Sequence, residues 1–251
     1  MKLAGLVEYD GAAFAGWARQ PETRTVEDVL LEALQTVLRH SVKMSVAGRT
    51  DAGVHASGQV ISFETDTHLP PPLVAYKTTA VLPKDVALRH CAAVPEGFDA
   101  RYDARSRRYE YRVLAGGIRS PLNRHGSIYV ARPLDFGLLE RSAGLVEGVH
   151  DFRAFTPTKS YHRRMERAVR ESRWSREGDL STYHVGANSF LHGMVRSLVG
   201  TMLQVAEGKR DLANFERLLE GAPRSKAGPA APSRGLTLVA VEYDHDLWRD
   251  V

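Results

Sequence analysis

The sequence predicts an α+β fold made of two similar halves with a largely antiparallel, mixed sheet. Short runs with alternating apolar residues, bounded by Gly, Pro or Asp, are typical of strands and recur along the 251 residues. Longer runs with apolar residues three and four positions apart indicate helices between them. The order β-α-β-β-α-β can be assigned twice, which indicates two ferredoxin-like (RRM-like) halves. No repeat of individual residues accompanies it, so the duplication is inferred from this pattern alone.

The first half is assigned to residues 1–104. Its first strand ends at Asp10-Gly11, which is a turn signal. Thr25 is a good N-cap for the first helix, because its hydroxyl can accept a hydrogen bond from a free N–H of the first turn. The predicted strands are residues 2–9, 41–47, 58–65 and 86–94, and the predicted helices are one that follows Thr25 and one over 71–80.

The second half is assigned to residues 105–251, after a linker near 95–105. Glu177-Gly178-Asp179 indicates the turn of a hairpin. Residues 221–235 are rich in Gly, Pro and Ala, so we expect a mobile loop there. The predicted strands are residues 106–114, 126–131, 167–176, 180–187 and 236–244, and the predicted helices are residues 135–146, 189–207 and 211–220.

The composition is that of an ordinary globular protein, with 43% hydrophobic and 25% charged residues. It excludes a wholly disordered chain, a collagen and a coiled-coil rod. The single cysteine, Cys91, excludes an intramolecular disulfide and a multi-cysteine zinc site, and its apolar surroundings predict a core thiol. No membrane span and no signal-peptide core is found in the sequence, so we expect a soluble, cytoplasmic protein.

The charge balance permits a nucleic-acid partner without establishing one. The chain has 34 basic and 30 acidic residues, and 27 of the basic residues are arginine. Arginine binds phosphate through two donors and stacks on bases, although a GC-rich genome would produce the same bias. The basic stretch Lys159–Arg176 and the loop over 221–235 could clasp a phosphate backbone, and solvated surface loops are the alternative.

Several classes of chemistry lack the residues they need. The sequence has no Gly-x-x-x-x-Gly-Lys-Ser/Thr loop and no Gly-x-Gly-x-x-Gly before a helix, so the phosphate-binding loops of nucleotide enzymes are missing. Its ten histidines include no His-Glu-x-x-His, and no metal site is expected. Zinc-dependent base deamination needs a Pro-Cys-x-x-Cys run, which one cysteine cannot supply.

The stretch Gly48–His55 is the most unusual in the chain. Its glycines allow a tight turn that projects Asp51 from a loop at the end of a strand. Arg49 and Thr50 place a cation and a hydroxyl beside the carboxylate, and an ionised Asp held in this way can act as a nucleophile or base. The alternative is an Asx turn, in which Asp51 binds only its own backbone.

Two further residues stand out in the second half. Tyr109 lies where basic and aromatic residues alternate on a strand, so its ring can stack on a base, or it can belong to an ordinary buried face. Arg196 lies in the nearly apolar run Phe190–Gly200 and needs a partner, because an unpaired buried charge is costly. Asp51 is a candidate partner for Arg196, and a purely structural ion pair is the alternative.

Together these stretches resemble the TruA family of tRNA pseudouridine synthases. Gly48–His55 matches the family's catalytic-aspartate motif, and Arg108-Tyr109-x-Tyr111 is similar to its active-site tyrosine motif. The matches are collinear and span Tyr9 to about Tyr243. The other matches are Tyr9-Asp10-Gly11 with Phe14-x-Gly16-Trp17-x-Arg19-Gln20, His150-Asp151-Phe152-x-x-Phe155, Phe190-Leu191-His192-x-Met194-Val195-Arg196 and Gly235-Leu236-x-Leu238.

The resemblance implies isomerisation of uridine to pseudouridine at positions 38, 39 and 40 in the anticodon stem-loop of tRNA. It implies that Asp51 is the catalytic aspartate, that Tyr109 stacks on the target base, and that Arg196 pairs with Asp51. Leu236 would line the apolar floor of the pocket. The substrate contacts expected are Arg19, Gln20, Arg24, Arg49, Thr50, His55, Arg108, Arg163 and Arg164.

The same resemblance implies two α+β halves around a central active-site cleft, a homodimer, and a reaction without cofactor or metal. The sequence departs from the family at Thr79-Ala80-Val81, where asparagines are frequent, and at Thr237, where tyrosine is common. Three other functions stay open: a tRNA chaperone without catalysis, a related enzyme that acts on another RNA or other tRNA positions, and a structural RNA-binding duplication. The intact Asp51, Tyr109 and Arg196 argue against the chaperone.

Overall fold

The computed structural model describes residues 1–158 and 163–248, and the chain forms two compact units. The first unit contains Met1–Arg107 together with the chain from Leu238, and the second contains Arg108–Thr237. The α+β class with mostly antiparallel strands is confirmed. The chain leaves the first unit close to the predicted boundary after residue 104, but its last strand returns to that unit.

The first unit has the predicted element order. Strand β1 lies between β3 and β4 and is antiparallel to both, and β2 pairs with β3. This is the strand order of a ferredoxin-like half. The elements are β1 (Lys2–Tyr9), α1 (Val26–Leu38), β2 (Met44–Val46), β3 (His55–Glu64), α2 (Pro71–Val81) and β4 (Val86–Val94).

Local sequence explains how these elements begin and pack. The Thr25 hydroxyl accepts a hydrogen bond from the Asp28 N–H (3.3 Å) and caps α1, as predicted. Cys91 is a core thiol on β4, and burial raises its pKa to about 12. The Thr79 hydroxyl accepts from the Leu88 N–H (3.0 Å) and donates to the Leu88 carbonyl (2.9 Å), so α2 closes part of the β4 edge.

The remaining strands form the order β5-β9-β8-β7, in which β7, β8 and β9 are antiparallel to their neighbours along the chain. β6 is the exception, since it runs parallel to β5. None of the helices in the described residues combines the length and hydropathy that crossing a membrane requires. The elements are β5 (Ser106–Ala115), β6 (Ile128–Val130), α3 (Phe136–Gly144), β7 (Gly148–Asp151), β8 (Glu166–Glu177), β9 (Leu180–Ala187), α4 (Met194–Ala206), α5 (Leu212–Leu218) and β10 (Leu236–Glu242).

The assignment of the whole C-terminal strand to the second half is corrected by the position of β10. From Leu238 on, this strand belongs to the first unit and lies beside β3. Gly58 of β3 permits the close approach, because a Cβ atom there would lie 2.2 Å from the Val239 carbonyl oxygen. Arg105 completes the junction, since its guanidinium holds Asp244 through two arms (2.6 to 3.1 Å).

Two local differences from the predicted elements have simple causes. Helix α4 begins at Met194 instead of residue 189, because Gly193 adopts a left-handed conformation (φ +64°). A right-handed helix cannot continue through a residue in that conformation. Strand β7 has only four residues and no buried side chain, so it lacks the alternation on which strand prediction depends.

The predicted loop over residues 221–235 is present, and hydrogen bonds tie it to the second unit. The Gly228 N–H donates to Thr201 Oγ1 (3.1 Å), and the Ala231 N–H donates to the Arg196 carbonyl (2.9 Å). Tyr111 donates its hydroxyl to the Pro232 carbonyl (2.6 Å). Composition indicated a loop correctly. It could not show that helix α4 and Tyr111 of β5 supply hydrogen-bond partners for this loop.

Gly200 of α4 should be intolerant of a side chain. A Cβ atom at Gly200 would lie 1.9 Å from the Pro229 carbonyl oxygen, whereas one at Gly144 of α3 would meet nothing within 4 Å. We expect Gly200→Ala to lower the free energy of unfolding by about 2 kcal/mol and Gly144→Ala to leave it equal or slightly higher. Urea denaturation of both variants measures this, and equal stability would contradict the packing of the loop on α4.

Candidate active site

The Asp51 loop joins β2 to β3 in the first unit. Asp51 is half-buried, Thr50 beside it is buried, and Arg49 is exposed. Gly53 has φ +74°, so the tight turn that the glycine predicted is present. The Val54 N–H donates to the Asp51 carbonyl (3.2 Å) and closes this turn. The loop therefore carries a carboxylate at a defined place beside the start of β3.

The chain over residues 10–17, which follows β1, packs on this loop backbone to backbone. A Cβ atom at Gly11 would lie 2.0 Å from the Val54 carbonyl oxygen, so only glycine fits. Gly16 adopts φ +110°, and the next residue, Trp17, donates its N–H to the Thr50 carbonyl (3.0 Å). In return the Gly53 N–H donates to the Phe14 carbonyl (3.2 Å). The N-terminal motif and the aspartate motif, which are separate in the sequence, are thus packed against each other.

Beneath the loop lies a buried set of polar side chains. The Tyr9 hydroxyl is 2.7 Å from Thr50 Oγ1, and the Gln59 amide donates to the Gly48 carbonyl (2.6 Å). Burial raises the pKa of Tyr9 to about 12, while hydrogen bonds to Thr50 and Gln59 act in the opposite direction. The Tyr9 hydroxyl is therefore protonated at neutral pH.

Residues expected to contact substrate in the first unit lie around the same loop and the 10–17 segment. His55 starts β3, and its Nδ1 atom is 3.1 Å from the Gly11 nitrogen, whose N–H points at it. Arg24 holds Asp85 through two hydrogen bonds (2.7 and 2.8 Å) and lies over the Phe14 ring. The exposed Arg19 pairs with Asp28, and Gln20 donates its amide to the Ala15 carbonyl.

In the second unit, Tyr109 lies on β5 with its side chain almost fully buried. Its ring meets the Phe190 ring edge to face, with the centroids 5.0 Å apart. Tyr111 and Val113 are buried on the same side of β5, and Arg108 and Arg112 are exposed on the other. The predicted alternation of β5 is confirmed, and Tyr109 belongs to its buried side.

Arg196 lies in the first turn of α4 and is half-buried. Its Nε atom donates to the Ala231 carbonyl (2.8 Å). Burial raises the pKa of the Tyr111 hydroxyl, while the positive charges of Arg196 and Arg234 act in the opposite direction, which places both cations near that ring. Leu236 starts β10 and is buried.

The remaining predicted substrate contacts, Arg163 and Arg164, are exposed just before β8. Lys159, at the start of the predicted basic stretch, lies outside the described residues. Thr50 belongs to the Asp51 loop and His55 follows it, while Arg19, Gln20 and Arg24 follow the 10–17 segment in the same unit. Tyr109, Arg196 and Leu236 belong to the second unit. The pairing of Asp51 with Arg196 stays a prediction.

Sequence reasoning missed Gln59 and did not assign Tyr9 a place in the site. Gln59 has no exposed surface and lies among apolar residues of β3, where a polar side chain needs hydrogen-bond partners. A polar side chain alone among apolar residues was the signal from which Gln59 could have been identified. Within residues 1–158 and 163–248, no three His, Cys, Asp or Glu side chains are grouped as a metal site would require.

Comparison with known proteins gives a consistent result. The model of a family described as tRNA pseudouridine synthase matches residues 6–103 and 143–244. The "tRNA pseudouridine synthase A" of Pseudoalteromonas atlantica is 38% identical over 97% of this chain and 92% of its own. Those of Acetivibrio thermocellus (34% identical, 95% and 98%) and Halalkalibacterium halodurans (37% identical, 94% and 90%) are similar over comparable lengths.

Among solved structures, a chain in "Crystal Structure of a Cbf5-Nop10-Gar1 Complex" aligns with 94% of this chain and 57% of its own length. The two chains are 14% identical, and the TM-score is 0.38. At these values the superposition says nothing about activity.

The raised pKa of Tyr9 should make stability depend on alkaline pH. In the unfolded chain a tyrosine ionises with its ordinary pKa of 10.0, whereas in the fold the pKa of Tyr9 is about 12. Its contribution is therefore complete below pH 10 and is lost as the pH rises to 12. We expect wild type to lose about 1 kcal/mol more than Tyr9→Phe between about pH 9 and 11. Urea titrations at both pH values measure this, and parallel losses would contradict it.

Proposed function

Because the chain belongs to the tRNA pseudouridine synthase family, we propose that it isomerises uridine to pseudouridine at positions 38, 39 and 40 of tRNA. The observation that carries this proposal is the family match over both units, together with an Asp51 loop that is held by the 10–17 segment. The family assignment supports the reaction. The choice of the anticodon stem-loop rests on the resemblance of the motifs.

The reaction asks for few chemical groups. The bond from C1′ to N1 of uridine breaks, the uracil rotates, and C5 bonds to C1′, while the C5 proton leaves and N1 gains a proton. No redox equivalent and no phosphate energy is consumed. A base in a stem or stacked loop must first be flipped out before its glycosidic bond can be reached. The protein must therefore supply one reactive group and a pocket that keeps the freed base in place.

Asp51 supplies the reactive group in this proposal. An ionised carboxylate can attack the sugar or the base as a nucleophile, or it can remove a proton as a base. Its loop is short, turned by Gly53 and bonded on both sides to the 10–17 segment, so its geometry is defined before substrate arrives. Such preorganisation is what a residue needs when it must meet a rotating base.

The resemblance assigns three residues of the second unit to the same reaction. Tyr109 stacks on the target uracil through the ring that Phe190 supports from its edge. In this proposal Arg196 pairs with Asp51 and orients that carboxylate, which suits an arginine whose Nε atom is already anchored on Ala231. Leu236 contributes apolar surface that excludes water from the broken glycosidic bond.

The RNA backbone is held by basic residues that read shape and charge more than sequence. Arg49, Arg108, Arg163 and Arg164 are exposed and suited to phosphate oxygens. Arg24 would have to exchange Asp85 for a phosphate, so we assign it to holding the 10–17 segment against β4. The resemblance assigns Arg19, Gln20, Thr50 and His55 to the nucleotides around the target base.

We further propose that the enzyme works in the cytoplasm as a homodimer, which rests on the resemblance. A chaperone without catalysis, or an enzyme for another RNA, would keep the fold but change the outcome of an activity assay. A transcript with uridine at 38–40, tritiated at C5, separates these functions, because C5 loses its hydrogen only when pseudouridine forms.

Asp51→Asn should remove tritium release while the Kd for tRNA stays within about threefold of wild type, because the amide keeps the shape but not the charge. The assay uses purified protein with EDTA and maps the modified positions. Release by the variant would contradict Asp51 as the reactive group. If neither protein releases tritium and both bind tRNA tightly, the chaperone or another RNA substrate is favoured.

Arg196→Ala should lower the rate about 100-fold and also lower the Tm, because a half-buried carboxylate would lose its cation. Thr201→Val is the matched control, since it also removes an anchor of the 227–232 segment, the bond from the Gly228 N–H. We expect the control to lose stability but keep kcat. Equal losses of kcat in both variants would show that Arg196 acts only by anchoring the loop over residues 221–235.

A further inference from the structure

The first half of the Asp51 loop is fixed from below by side chains, in addition to the backbone contacts of the 10–17 segment. One carbonyl oxygen, that of Gly48, and one hydroxyl, that of Thr50, each form a hydrogen bond with a side chain from a neighbouring strand. These strands are β1 and β3, which pair with each other along most of their length. Both anchoring side chains therefore come from one pair of adjacent strands.

Gln59 supplies the first anchor. It has no exposed surface, and its Nε2 atom donates to the Gly48 carbonyl at 2.6 Å. The Oε1 atom of the same amide accepts from the Val60 N–H at 3.2 Å. Since donor and acceptor ends are both used, the amide has one orientation and cannot turn over without losing both bonds.

Tyr9 supplies the second anchor. Its hydroxyl is 2.7 Å from Thr50 Oγ1 and 3.5 Å from the Gln59 Nε2 atom. When the Gln59 amide donates to the Tyr9 oxygen, the Tyr9 hydroxyl can donate its own hydrogen to Thr50 Oγ1. The Thr50 hydroxyl is then available to donate to another acceptor. Burial raises the pKa of Tyr9 to about 12, so its hydroxyl has a hydrogen to donate throughout the physiological range.

We propose that Tyr9 and Gln59 are positioning residues, which hold Gly48 and Thr50 so that Asp51 is presented to the target nucleotide in one geometry. The proposal rests on the proposed function for its catalytic consequence. Neither side chain touches substrate in it, because both are buried beneath the loop. Tyr9 acts through Thr50 and Gln59 through Gly48, whose backbone leads directly into Asp51. A displacement of about 1 Å in a reacting group can cost up to about 100-fold in rate.

The second unit offers a matched control for the loss of a buried tyrosine hydroxyl. Tyr183 is fully buried, and its hydroxyl is 2.8 Å from Ser172 Oγ, while that of Tyr9 is 2.7 Å from Thr50 Oγ1. Tyr183→Phe and Tyr9→Phe therefore remove the same kind of bond from equally buried places. A purely structural role for Tyr9 predicts that the two variants behave alike, and a positioning role predicts that only one affects the loop.

The experiment compares wild type, Tyr9→Phe and Tyr183→Phe by single-turnover and steady-state tritium release and by amide hydrogen exchange over residues 48–54. We expect Tyr9→Phe to lower kcat about tenfold with KM within about twofold, and to speed exchange in the loop at least about fivefold. Tyr183→Phe should leave kcat and loop exchange unchanged. Equal kcat and equal loop exchange in all three proteins would overturn the proposal.

Gln59→Met keeps the proposal testable if Tyr9→Phe fails to fold. Met has a similar length but no amide, so Gly48 O loses its donor, and we expect the same pattern of lower kcat and faster loop exchange. Slow exchange with wild-type kcat in Gln59→Met would overturn the role of Gln59. If wild type itself releases no tritium, the proposed function fails, and loop exchange alone decides whether Tyr9 and Gln59 hold the loop.

Discussion

The geometry of the candidate site depends on how one short loop satisfies its polar backbone while it is partly buried. A buried carbonyl or N–H without a partner is costly, so each such group must find one. In the Asp51 loop the partners are a side chain for Gly48 O, the Trp17 N–H for Thr50 O and the Phe14 carbonyl for the Gly53 N–H. Because β1, β3 and the 10–17 segment supply these partners, the loop is an extension of the core of the first unit.

The same constraint explains why two motifs far apart in the chain occur together. Backbone can lie against backbone only where a side chain is missing, and Gly11 is such a place beside Val54. Gly16 then turns the chain through φ +110° so that Trp17 can reach Thr50. The aspartate motif is therefore complete only with the N-terminal motif, and a change at Gly11 would act on Asp51 without touching it.

Local pattern was sufficient for most elements and insufficient for their partners. Periodicity located β1, α1 and β4 almost to the residue, because apolar spacing and caps are properties of neighbouring residues. It could not place β10 beside β3 or tie residues 221–235 to α4, since both depend on contacts between distant residues. Asp51, Tyr109 and Arg196 were predicted from motifs. For Gln59 the sequence offered only a polar residue among apolar ones, and its partner, the Gly48 carbonyl, is visible only in the fold.

The segment before β10 is anchored within the second unit, as the Asp51 loop is anchored within the first. A Cβ atom at Gly235 would lie 2.8 Å from the Tyr111 ring, so that ring lies flat against the chain immediately before Leu236. Its hydroxyl, bonded to the Pro232 carbonyl, fixes the chain three residues earlier. Tyr111 and Tyr109 thus share the buried side of β5, and Tyr111 holds the chain that leads into Leu236. A mobile segment at this place could not exclude water from a broken glycosidic bond, which is why its packing fits the proposed chemistry.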